Sequence, residues 1–330
     1  MSEAAGWMRA VRLLETGGPE VMQVETVPLP RPTAGEILVR LAASGVNFID
    51  VYKRKGLYTI PLPVTLGEEG AGTIVAVGGD AGGLREGDRV AWAGVMGSYA
   101  EHAIVPAARA VRVPDGVETE TAAALMLQGM TAHYLATSTH PLRDGDTCLI
   151  HAAAGGVGLL LVQIARRLGA RVIGTAGTDE KAALARAAGA DEVIVYTRQD
   201  FVAETKRLTG ERGVQVIYDS VGRTTCVPGL DALAPRGMMV LFGQSSGPVE
   251  PLDPQLLNRK GSLYLTRPTL VHYTASPAEL RRRAGEVMDW TLTGTLTVRI
   301  GATYPLARAA DAHRALESRQ TTGKVLLTVP

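Results

Sequence analysis

Short apolar segments separated by turn residues occupy the chain before Thr119. Two of them, Ala10–Leu14 and Met22–Val27, flank Gly17-Gly18-Pro19, an arrangement typical of a β-hairpin. Further apolar runs are separated by Gly, Asp and Pro and lie at Ile37–Ala43, Gly72–Val77, Arg89–Ala93 and Tyr99–Val105. The pattern predicts a small antiparallel barrel, interrupted by one helix at Asn47–Lys55 that Gly56 ends.

From Thr119 onward the pattern changes to helix-like segments that alternate with short apolar strands. The predicted strands are Thr147–His151, Arg171–Thr175, Glu192–Tyr196, Val214–Asp219 and Met238–Phe242, with helices at Val157–Leu168, Glu180–Ala188, Phe201–Thr209 and Thr225–Leu233. This alternation is typical of βαβ units that build a parallel sheet. A further strand-like segment (Ser262–Arg267) precedes a long helix (Pro277–Thr291), a strand, a short helix (Ala307–Glu317) and the strand Lys324–Val329, and we expect this C-terminal segment to return to the first domain.

Composition narrows the class of protein. A chain of 330 residues favours two domains, and 34 Lys plus Arg against 33 Asp plus Glu leave a net charge of +1. This balance argues against a polyanion-binding protein. The two cysteines, Cys148 and Cys226, are too few for a disulfide scaffold or a four-thiolate zinc site. With no export signal or membrane-spanning run in the sequence, we expect a cytoplasmic protein.

The segment Cys148–Gly158 carries the clearest indication of a ligand. A buried strand runs into a turn of small residues, and a helix begins directly after it. Ala153, Gly155 and Gly158 have the spacing of the dinucleotide fingerprint G-x-G-x-x-G. Gly155 would let the backbone approach a pyrophosphate, Gly158 would let helix and strand pack closely, and the helix N-terminus would supply N–H donors. The alternative is a glycine-rich turn without a ligand.

The end of the second predicted strand bears on the choice between NAD and NADP. NAD-binding sites usually place Asp or Glu there to bind the ribose 2′-hydroxyl. Here Val172–Gly177 ends without an acid, which admits a 2′-phosphate. Lys181, in the first turn of the next helix, would place an ammonium near that phosphate or else lie on a solvated helix face. Asp179 and Glu180 are interpreted as first-turn acids that favour the helix dipole.

Nine ordered motifs then connect the chain to a known family. They are Gly17–Val21, Gly45–Asp50, Gly56–Tyr58, Gly67–Gly72, Glu86–Val90, His151–Gly158, Tyr218–Gly222, Phe242–Gly247 and Gly261–Tyr264. Because these motifs are spread over the full length, the chain resembles the zinc-free medium-chain dehydrogenases/reductases, specifically the zeta-crystallin-like NADPH:quinone oxidoreductases.

The resemblance implies an α/β fold of two domains with NADPH in the cleft between them. Residues 1–129 and 268–330 would form a GroES-like β-barrel catalytic domain, and residues 130–267 a Rossmann domain with a doubly wound parallel sheet. Arg319 would join Lys181 on the 2′-phosphate. The residues expected to bind the cofactor are Phe48, Ile49, Asp50, Val51, Tyr52, Thr131, Tyr134, Gly155, Gly156, Val157, Gly177, Thr178, Lys181, Tyr196, Ser220, Phe242, Gly243, Gln244, Ser245, Pro268, Thr269, Leu270 and Arg319.

No metal is expected in the site. Zinc relatives ligate catalytic zinc with a Cys and with the His of a Gly-His-Glu motif, where this chain has Gly45-Val46-Asn47 and Gly67-Glu68-Glu69. Cys148 lies in the strand before the phosphate turn and is interpreted as a small core residue.

Without a metal, the predicted catalytic residues are Asn47 and Tyr52. An amide and a phenol on the helical interruption can hydrogen-bond a quinone oxygen or the nicotinamide carboxamide. Their local alternatives, an N-cap for Asn47 and packing for Tyr52, stay open. Gln128 and Thr131 are secondary candidates for substrate contacts.

Other functions remain as alternatives. The same cofactor and fold would serve reduction of the C=C bond of an α,β-unsaturated ketone or aldehyde, and some relatives are non-catalytic crystallins or bind RNA. The segment Gly243–Gly247 matches the hydrolase motif G-x-S-x-G, but Pro248, Pro251 and Pro254 prevent the helix that should follow. Arg281–Arg283 is interpreted as a solvated helix face, and a homodimer is expected to form near Ser262–Thr266.

Overall fold

The apolar runs of the sequence form the strands of the structure, a computed structural model that describes residues 6–329. They are β1 (Trp7–Leu13), β2 (Met22–Pro28), β3 (Glu36–Val46), β4 (Val64–Thr65), β5 (Glu69–Val77), β6 (Arg89–Ala93), β7 (His102–Pro106), β8 (Val111–Arg112), β9 (Thr147–Ile150), β10 (Arg171–Ala176), β11 (Glu192–Val195), β12 (Val214–Asp219), β13 (Leu233–Leu241), β14 (Tyr264–Thr266), β15 (Ile300–Pro305) and β16 (Lys324–Thr328).

The helices follow the predicted order closely. They are α1 (Phe48–Arg54), α2 (Thr119–Tyr134), α3 (Gly156–Arg167), α4 (Asp179–Ala187), α5 (Phe201–Leu208), α6 (Cys226–Gly229), α7 (Gln255–Arg259), α8 (Leu270–Tyr273), α9 (Pro277–Leu292) and α10 (Ala309–Glu317). The helix predicted for Thr225–Leu233 is wrong in length. It ends at Gly229 and gives way to a 3₁₀ turn, because Leu233 already pairs with Val214 in the sheet.

One compact unit comprises residues 6–127 and 274–329. Its strands form a three-stranded sheet in the order β2-β1-β4 and a seven-stranded sheet in the order β15-β16-β3-β5-β6-β8, with β7 also pairing with β3. The predicted hairpin of β1 and β2 is confirmed. The antiparallel arrangement predicted for the strands before Thr119 is confirmed, because all pairings among β1 to β8 in the described chain are antiparallel. The C-terminal segment adds a parallel pair, since α10 connects β15 to β16 as a crossover.

The C-terminal strand places the end of the chain inside this unit. β16 pairs antiparallel with β3, so that Val325 lies opposite Val46 and Leu327 opposite Ser44. Its apolar residues enter a core shared with the first hairpin, whose buried members include Val11, Leu13, Leu66, Tyr99, Val325 and Leu327. Residues separated by about three hundred positions in sequence are thereby brought onto neighbouring strands.

The second compact unit comprises residues 128–273 and contains one parallel sheet in the order β11-β10-β9-β12-β13-β14. Numbered within the unit, this order is 3-2-1-4-5-6, the doubly wound order of dinucleotide-binding sheets. The predicted α/β fold class is confirmed. The assignment of a cofactor-binding and a catalytic domain to residues 130–267 and 1–129 plus 268–330 stays a prediction.

The sheet of the second unit has a continuous apolar core. Leu149, Ile173, Ile194, Ile217 and Met239 come from five neighbouring strands and pack together. Both cysteines are buried free thiols, and burial raises the pKa of each above its ordinary value. Cys148 lies on β9 and Cys226 on α6, as expected of small core residues.

The arginine triplet of α9 is only partly solvated. Arg281 and Arg282 are exposed, but Arg283 is buried and its guanidinium lies 4.0 Å from Glu279. The prediction of a solvated face is therefore wrong for Arg283. The helical period turns this position toward the buried residues Leu280, Ala284 and Val287 of the same helix.

Candidate active site

The turn between β9 and α3 has the geometry that its glycines predict. Ala152 adopts a left-handed conformation with φ 51°, and the Gly155 N–H donates to the Ala152 carbonyl at 2.8 Å. A Cβ atom on Gly158 would lie 2.3 Å from that same carbonyl oxygen, and one on Gly156 would lie 1.9 Å from Gln128 Oε1. Only glycine fits at Gly158, because the helix starts in direct contact with the backbone of the turn, whereas a Cβ atom on Gly156 would displace the side-chain amide of Gln128.

The helix that follows this turn is open at its N-terminus. Its N-cap residue is Gly155, and among the residues described no side chain caps it. The first amide groups of a helix have no intrahelical acceptor, and together they form a site for a phosphate. Gly155, Gly156 and Val157 all lie at this helix start, as predicted.

The ends of β10 and β11 bring a second group of predicted residues together. A Cβ atom on Gly177 would lie 2.8 Å from Tyr196 Oη, so the two residues are in contact. The Thr197 hydroxyl donates to the Gly177 carbonyl at 3.1 Å, and the Lys181 N–H donates to Thr178 Oγ1 at 3.3 Å. The residues predicted around the adenosine phosphate, Gly177, Thr178, Lys181 and Tyr196, therefore share one corner of the sheet.

The ends of β12, β13 and β14 supply the third group. The Ser245 N–H donates to the Ser220 carbonyl at 3.1 Å, and a Cβ atom on Gly243 would lie 2.6 Å from that oxygen. Phe242 and Gln244 flank Gly243, and Pro268, Thr269 and Leu270 follow β14. All of these positions lie at the carboxyl edge of the parallel sheet, where doubly wound folds bind their ligands.

The segment that matches the hydrolase motif is a loop with a turn at Ser245 and Ser246. After Gly247, no helix begins in the described chain before Gln255. Ser246 Oγ donates to the Val221 carbonyl at 2.8 Å and accepts from the Thr224 N–H at 3.2 Å. The strand-to-helix elbow that a serine nucleophile requires is therefore replaced by a loop held against the β12 turn.

Tyr134 and Thr131 lie on α2 and are almost completely enclosed. Tyr134 is 1% exposed and stacks on Tyr273, with ring centroids 4.2 Å apart and planes 8° from parallel. Thr131 is 7% exposed. Any contact of Tyr134 with a cofactor is confined to the small part of its surface that the stack leaves open.

In the first unit, α1 carries the remaining cluster of predicted residues. Phe48 and Ile49 are half-buried, whereas Val51 and Tyr52 are buried. The Tyr52 ring lies between Phe48 and Tyr58, at centroid distances of 5.9 and 5.7 Å. Arg319 lies in the same unit as an exposed residue with φ 58°, just after α10. Its predicted convergence with Lys181 stays a prediction.

Asn47, the predicted catalytic amide, belongs to a buried hydrogen-bond network. The Lys324 ammonium donates to Asn47 Oδ1 at 2.8 Å, and Asn47 Nδ2 donates to Glu69 Oε2 at 2.8 Å and to the Gly45 carbonyl at 3.3 Å. Lys324 and Glu69 also form an ion pair, with side-chain exposures of 1% and 0%. The Leu127 N–H donates to the other oxygen of Glu69 at 2.5 Å. The Asn47 amide is thus engaged on both its oxygen and its nitrogen.

Asp50 extends this network away from Asn47. Its Oδ2 accepts from the Asn47 backbone N–H at 2.9 Å and from the Tyr99 hydroxyl at 3.2 Å, and Tyr99 Oη lies 3.1 Å from His313 Nε2. Burial raises the pKa of Asp50 to about 7 and lowers that of His313 to about 3. Asp50 as a whole residue has no exposed surface, and its predicted contact with a cofactor stays a prediction.

Sequence reasoning missed the partners of Asn47. In the sequence, Glu69 belongs to the motif Gly67-Glu68-Glu69 and Lys324 begins a predicted strand, and neither position points to the other. Gly45 carried a usable signal, since a Cβ atom there would lie 2.1 Å from Glu69 Oε2. Arg198, which pairs with Asp179 at the corner of Lys181, was also missed.

Two kinds of site are absent from residues 6–329. In that range, no group of three or more His, Cys, Asp or Glu side chains is arranged to hold a metal ion. In the same range, no helix has both the length and the apolar character needed to cross a bilayer. The predicted cytoplasmic location stays a prediction.

Comparison with known proteins gives matches over nearly the whole chain. The family models "Alcohol dehydrogenase GroES-like domain" and "Zinc-binding dehydrogenase" match residues 33–115 and 156–281. A quinone oxidoreductase of Pseudomonas aeruginosa is 44% identical over 97% of this chain and 99% of its own length. A 2-haloacrylate reductase from a Burkholderia species is 39% identical over 94% of this chain and 96% of its own length.

A solved structure extends the likeness to three dimensions. The crystal structure of Escherichia coli quinone oxidoreductase complexed with NADPH matches with a TM-score of 0.95 and 42% sequence identity. The match covers 97% of this chain and 99% of the other. The two chains therefore share their fold over the matched residues.

Removing the buried ammonium should destabilise the first unit strongly. We expect Lys324→Met to lower the free energy of unfolding by about 3–5 kcal/mol, because Glu69 is left as an unpaired buried charge. Adding Glu69→Gln should recover part of the loss, since no buried charge then remains. Urea denaturation of the three proteins measures this. Lys260→Met, which breaks a more exposed pair with Asp231, should cost less than about 1 kcal/mol. Equal losses for both lysine variants would contradict the prediction.

The buried carboxyl of Asp50 should make stability depend on pH. Its folded pKa of about 7 exceeds 3.8, so between these values the folded chain keeps a proton that the unfolded chain has lost. The contribution of Asp50 is therefore full below pH 3.8 and is lost as the pH rises toward 7. Relative to Asp50→Asn, the wild type should lose up to about 4 kcal/mol over this range. Urea denaturation at several pH values measures the difference, and a constant difference would contradict the prediction.

Proposed function

Since the chain belongs to the quinone oxidoreductases of the medium-chain dehydrogenase/reductase superfamily, we propose that it reduces quinones with NADPH. The observation that carries this proposal is 44% identity to a quinone oxidoreductase over 97% of the chain. The E. coli relative, which binds NADPH, has the same fold at a TM-score of 0.95. The chain is an oxidoreductase, and NADPH is its cofactor.

The residues of the second unit fit this cofactor. The glycine turn and the uncapped start of α3 suit a pyrophosphate, because the backbone is open there and the amide dipoles point outward. The carboxyl end of β10 has no acid up to Gly177, and Lys181 follows in the first turn of α4. These residues would hold the diphosphate and the 2′-phosphate. When bound, NADPH supplies the hydride that reduces the acceptor.

Tyr52 is the residue we place against the acceptor. Its ring is held by Phe48 and Tyr58, which limits the positions its hydroxyl can take. A positioned phenol can donate a hydrogen bond to an oxygen that gains negative charge during reduction. The catalytic role of Asn47 stays a prediction. Its bonds to Lys324, Glu69 and Gly45 favour a positioning role, in which the amide fixes the start of α1 beneath Tyr52.

We propose that the reaction is independent of zinc. Asn47 and Glu68 stand at the positions where zinc relatives have their Cys and His ligands, and the neighbouring Glu69 binds the Lys324 ammonium. A cation is therefore already supplied by the protein at this carboxylate. The lysine compensates the negative charge of Glu69, so that the arrangement requires no second cation.

A second candidate reaction is reduction of a carbon–carbon double bond conjugated to a carbonyl group. The 39% identity to a 2-haloacrylate reductase over 94% of the chain favours it. Both reactions add a hydride to an electron-poor conjugated acceptor. They therefore require the same cofactor geometry, and the side chains that line the acceptor pocket decide between them.

We also propose that the chain forms a homodimer through β14. This strand is the last in its sheet, and its Tyr264 and Leu265 are 58% and 39% exposed. An apolar edge strand favours pairing with a second edge. Sedimentation equilibrium should give twice the mass of the chain, and Leu265→Lys should shift the equilibrium toward the monomer. A monomeric wild type at micromolar concentration would contradict this.

A panel of acceptors tests the proposed function. With NADPH, we expect kcat/KM for benzoquinones and naphthoquinones to exceed that for 2-alkenals and haloacrylates by at least about tenfold, since specificity follows differential binding of the transition state. Replacing NADPH by NADH should reduce kcat/KM. Dialysis against a chelator should leave the rates unchanged. A higher value for the conjugated alkenes would favour the second candidate, and no turnover with either class would overturn the proposal.

A further inference from the structure

An exposed ion pair lies just beyond the end of β10, the second strand of the parallel sheet. Arg198, in the loop between β11 and α5, forms two parallel hydrogen bonds with Asp179, the first residue of α4, one of them 2.7 Å long. The side chains are 58% and 65% exposed. The hydrogen bonds from Arg198 hold the pKa of Asp179 below its ordinary value. A bidentate pair on the surface is better ordered than most exposed pairs.

The position of this pair matters because of what surrounds it. Asp179 lies between Thr178 and Glu180, two residues before Lys181, and Arg198 lies two residues after Tyr196. Gly177, Thr178, Lys181 and Tyr196 are the residues to which we assign the 2′-phosphate. The pair is therefore at the edge of the candidate phosphate site, on the two segments that form it.

Arg198 is the guanidinium that hydrogen-bonds Asp179 at this corner, and Arg186 adds a further positive charge that acts on the same carboxylate. Asp179 and Glu180 bring two negative charges, and Lys181 and Arg198 bring two positive ones. A carboxylate at the end of the second strand is the feature by which dinucleotide-binding folds favour NAD, since it binds the 2′-hydroxyl and repels a 2′-phosphate. Here an acid stands three residues beyond the strand end, and its two oxygens are engaged by a guanidinium.

We propose that Arg198 is a specificity-determining residue for NADPH that acts by neutralising and restraining Asp179. The inference rests on the proposed function. Arg198 is a positioning residue in this scheme, because two N–H groups of its guanidinium donate to Asp179 while Lys181 binds the phosphate. Without Arg198, the Asp179 carboxylate is free to repel the 2′-phosphate or to bind the 2′-hydroxyl of NADH.

The test is a set of dissociation constants for NADPH and NADH, measured by cofactor fluorescence on the full chain. Arg198→Gln should raise the Kd of NADPH about five- to tenfold at low salt, because one unscreened charge then faces a phosphate. The Kd of NADH should stay the same or fall. The double variant Asp179→Asn with Arg198→Gln should return to within about twofold of the wild type, since both charges are then absent. The effect of Arg198→Gln should shrink at high salt.

Two controls make the result specific. Arg207 lies in the last turn of α5, away from the carboxyl ends of the strands, and is 66% exposed in an ion pair with Glu204. Arg207→Gln should therefore change neither dissociation constant. Lys181→Ala should weaken NADPH binding in every background. If Arg198→Gln leaves NADPH binding unchanged, or weakens it equally when Asp179 is already Asn, the inference is overturned while the proposed function stands. A wild type that does not prefer NADPH overturns both.

Discussion

The buried ion pair between Glu69 and Lys324 is the interaction on which the first unit depends. It joins the start of β5 to the start of β16, and through Asn47 it reaches the N-cap of α1. Taking two charges out of water is costly, so the pair is stable only if its remaining oxygens and protons find partners. Asn47 and the Leu127 N–H provide them. The C-terminal strand is therefore part of the frame that holds Tyr52.

A different constraint governs the second unit, namely the common direction of the strands in its sheet. Because every strand of its sheet is parallel, all carboxyl ends meet at one edge. The parallel arrangement therefore brings turns that are distant in sequence to the same edge, without requiring side-chain contacts between them. These turns follow Ile150, Ala176, Val195, Asp219 and Leu241. Asp219 shows how such a turn is stabilised, since its carboxylate accepts from the Val221 and Gly222 N–H groups at 2.7 and 3.1 Å. The topology places the ligand-binding residues, and local hydrogen bonds shape them.

These two constraints explain which features could be predicted from the sequence. The glycine turn, the strand ends and the acid-free end of β10 are local, and each follows from the short segment that contains it. The partner of Glu69 is 255 residues away and becomes visible only when β16 pairs with β3. The burial of Arg283 has a related reason, because three consecutive arginines occupy different faces of a helix. Which residues pair across a sheet, and which way a helical residue faces, can be known only from the three-dimensional fold and not from a short sequence motif.

The ion pairs Lys324–Glu69 and Arg198–Asp179 differ in burial, and therefore in what each contributes to the protein. Lys324 and Glu69 have side-chain exposures of 1% and 0%, so either charge alone would be very unfavourable and the pair fixes geometry. Arg198 and Asp179 are 58% and 65% exposed, so water screens them and either can lose its partner at small cost. An exposed pair therefore contributes little to the stability of the fold. Its influence is confined to ligands within about 10 Å, the distance over which salt leaves a charge unscreened. The buried pair thus stabilises the fold of the first unit, whereas the exposed pair can influence the binding of a phosphate without affecting the fold.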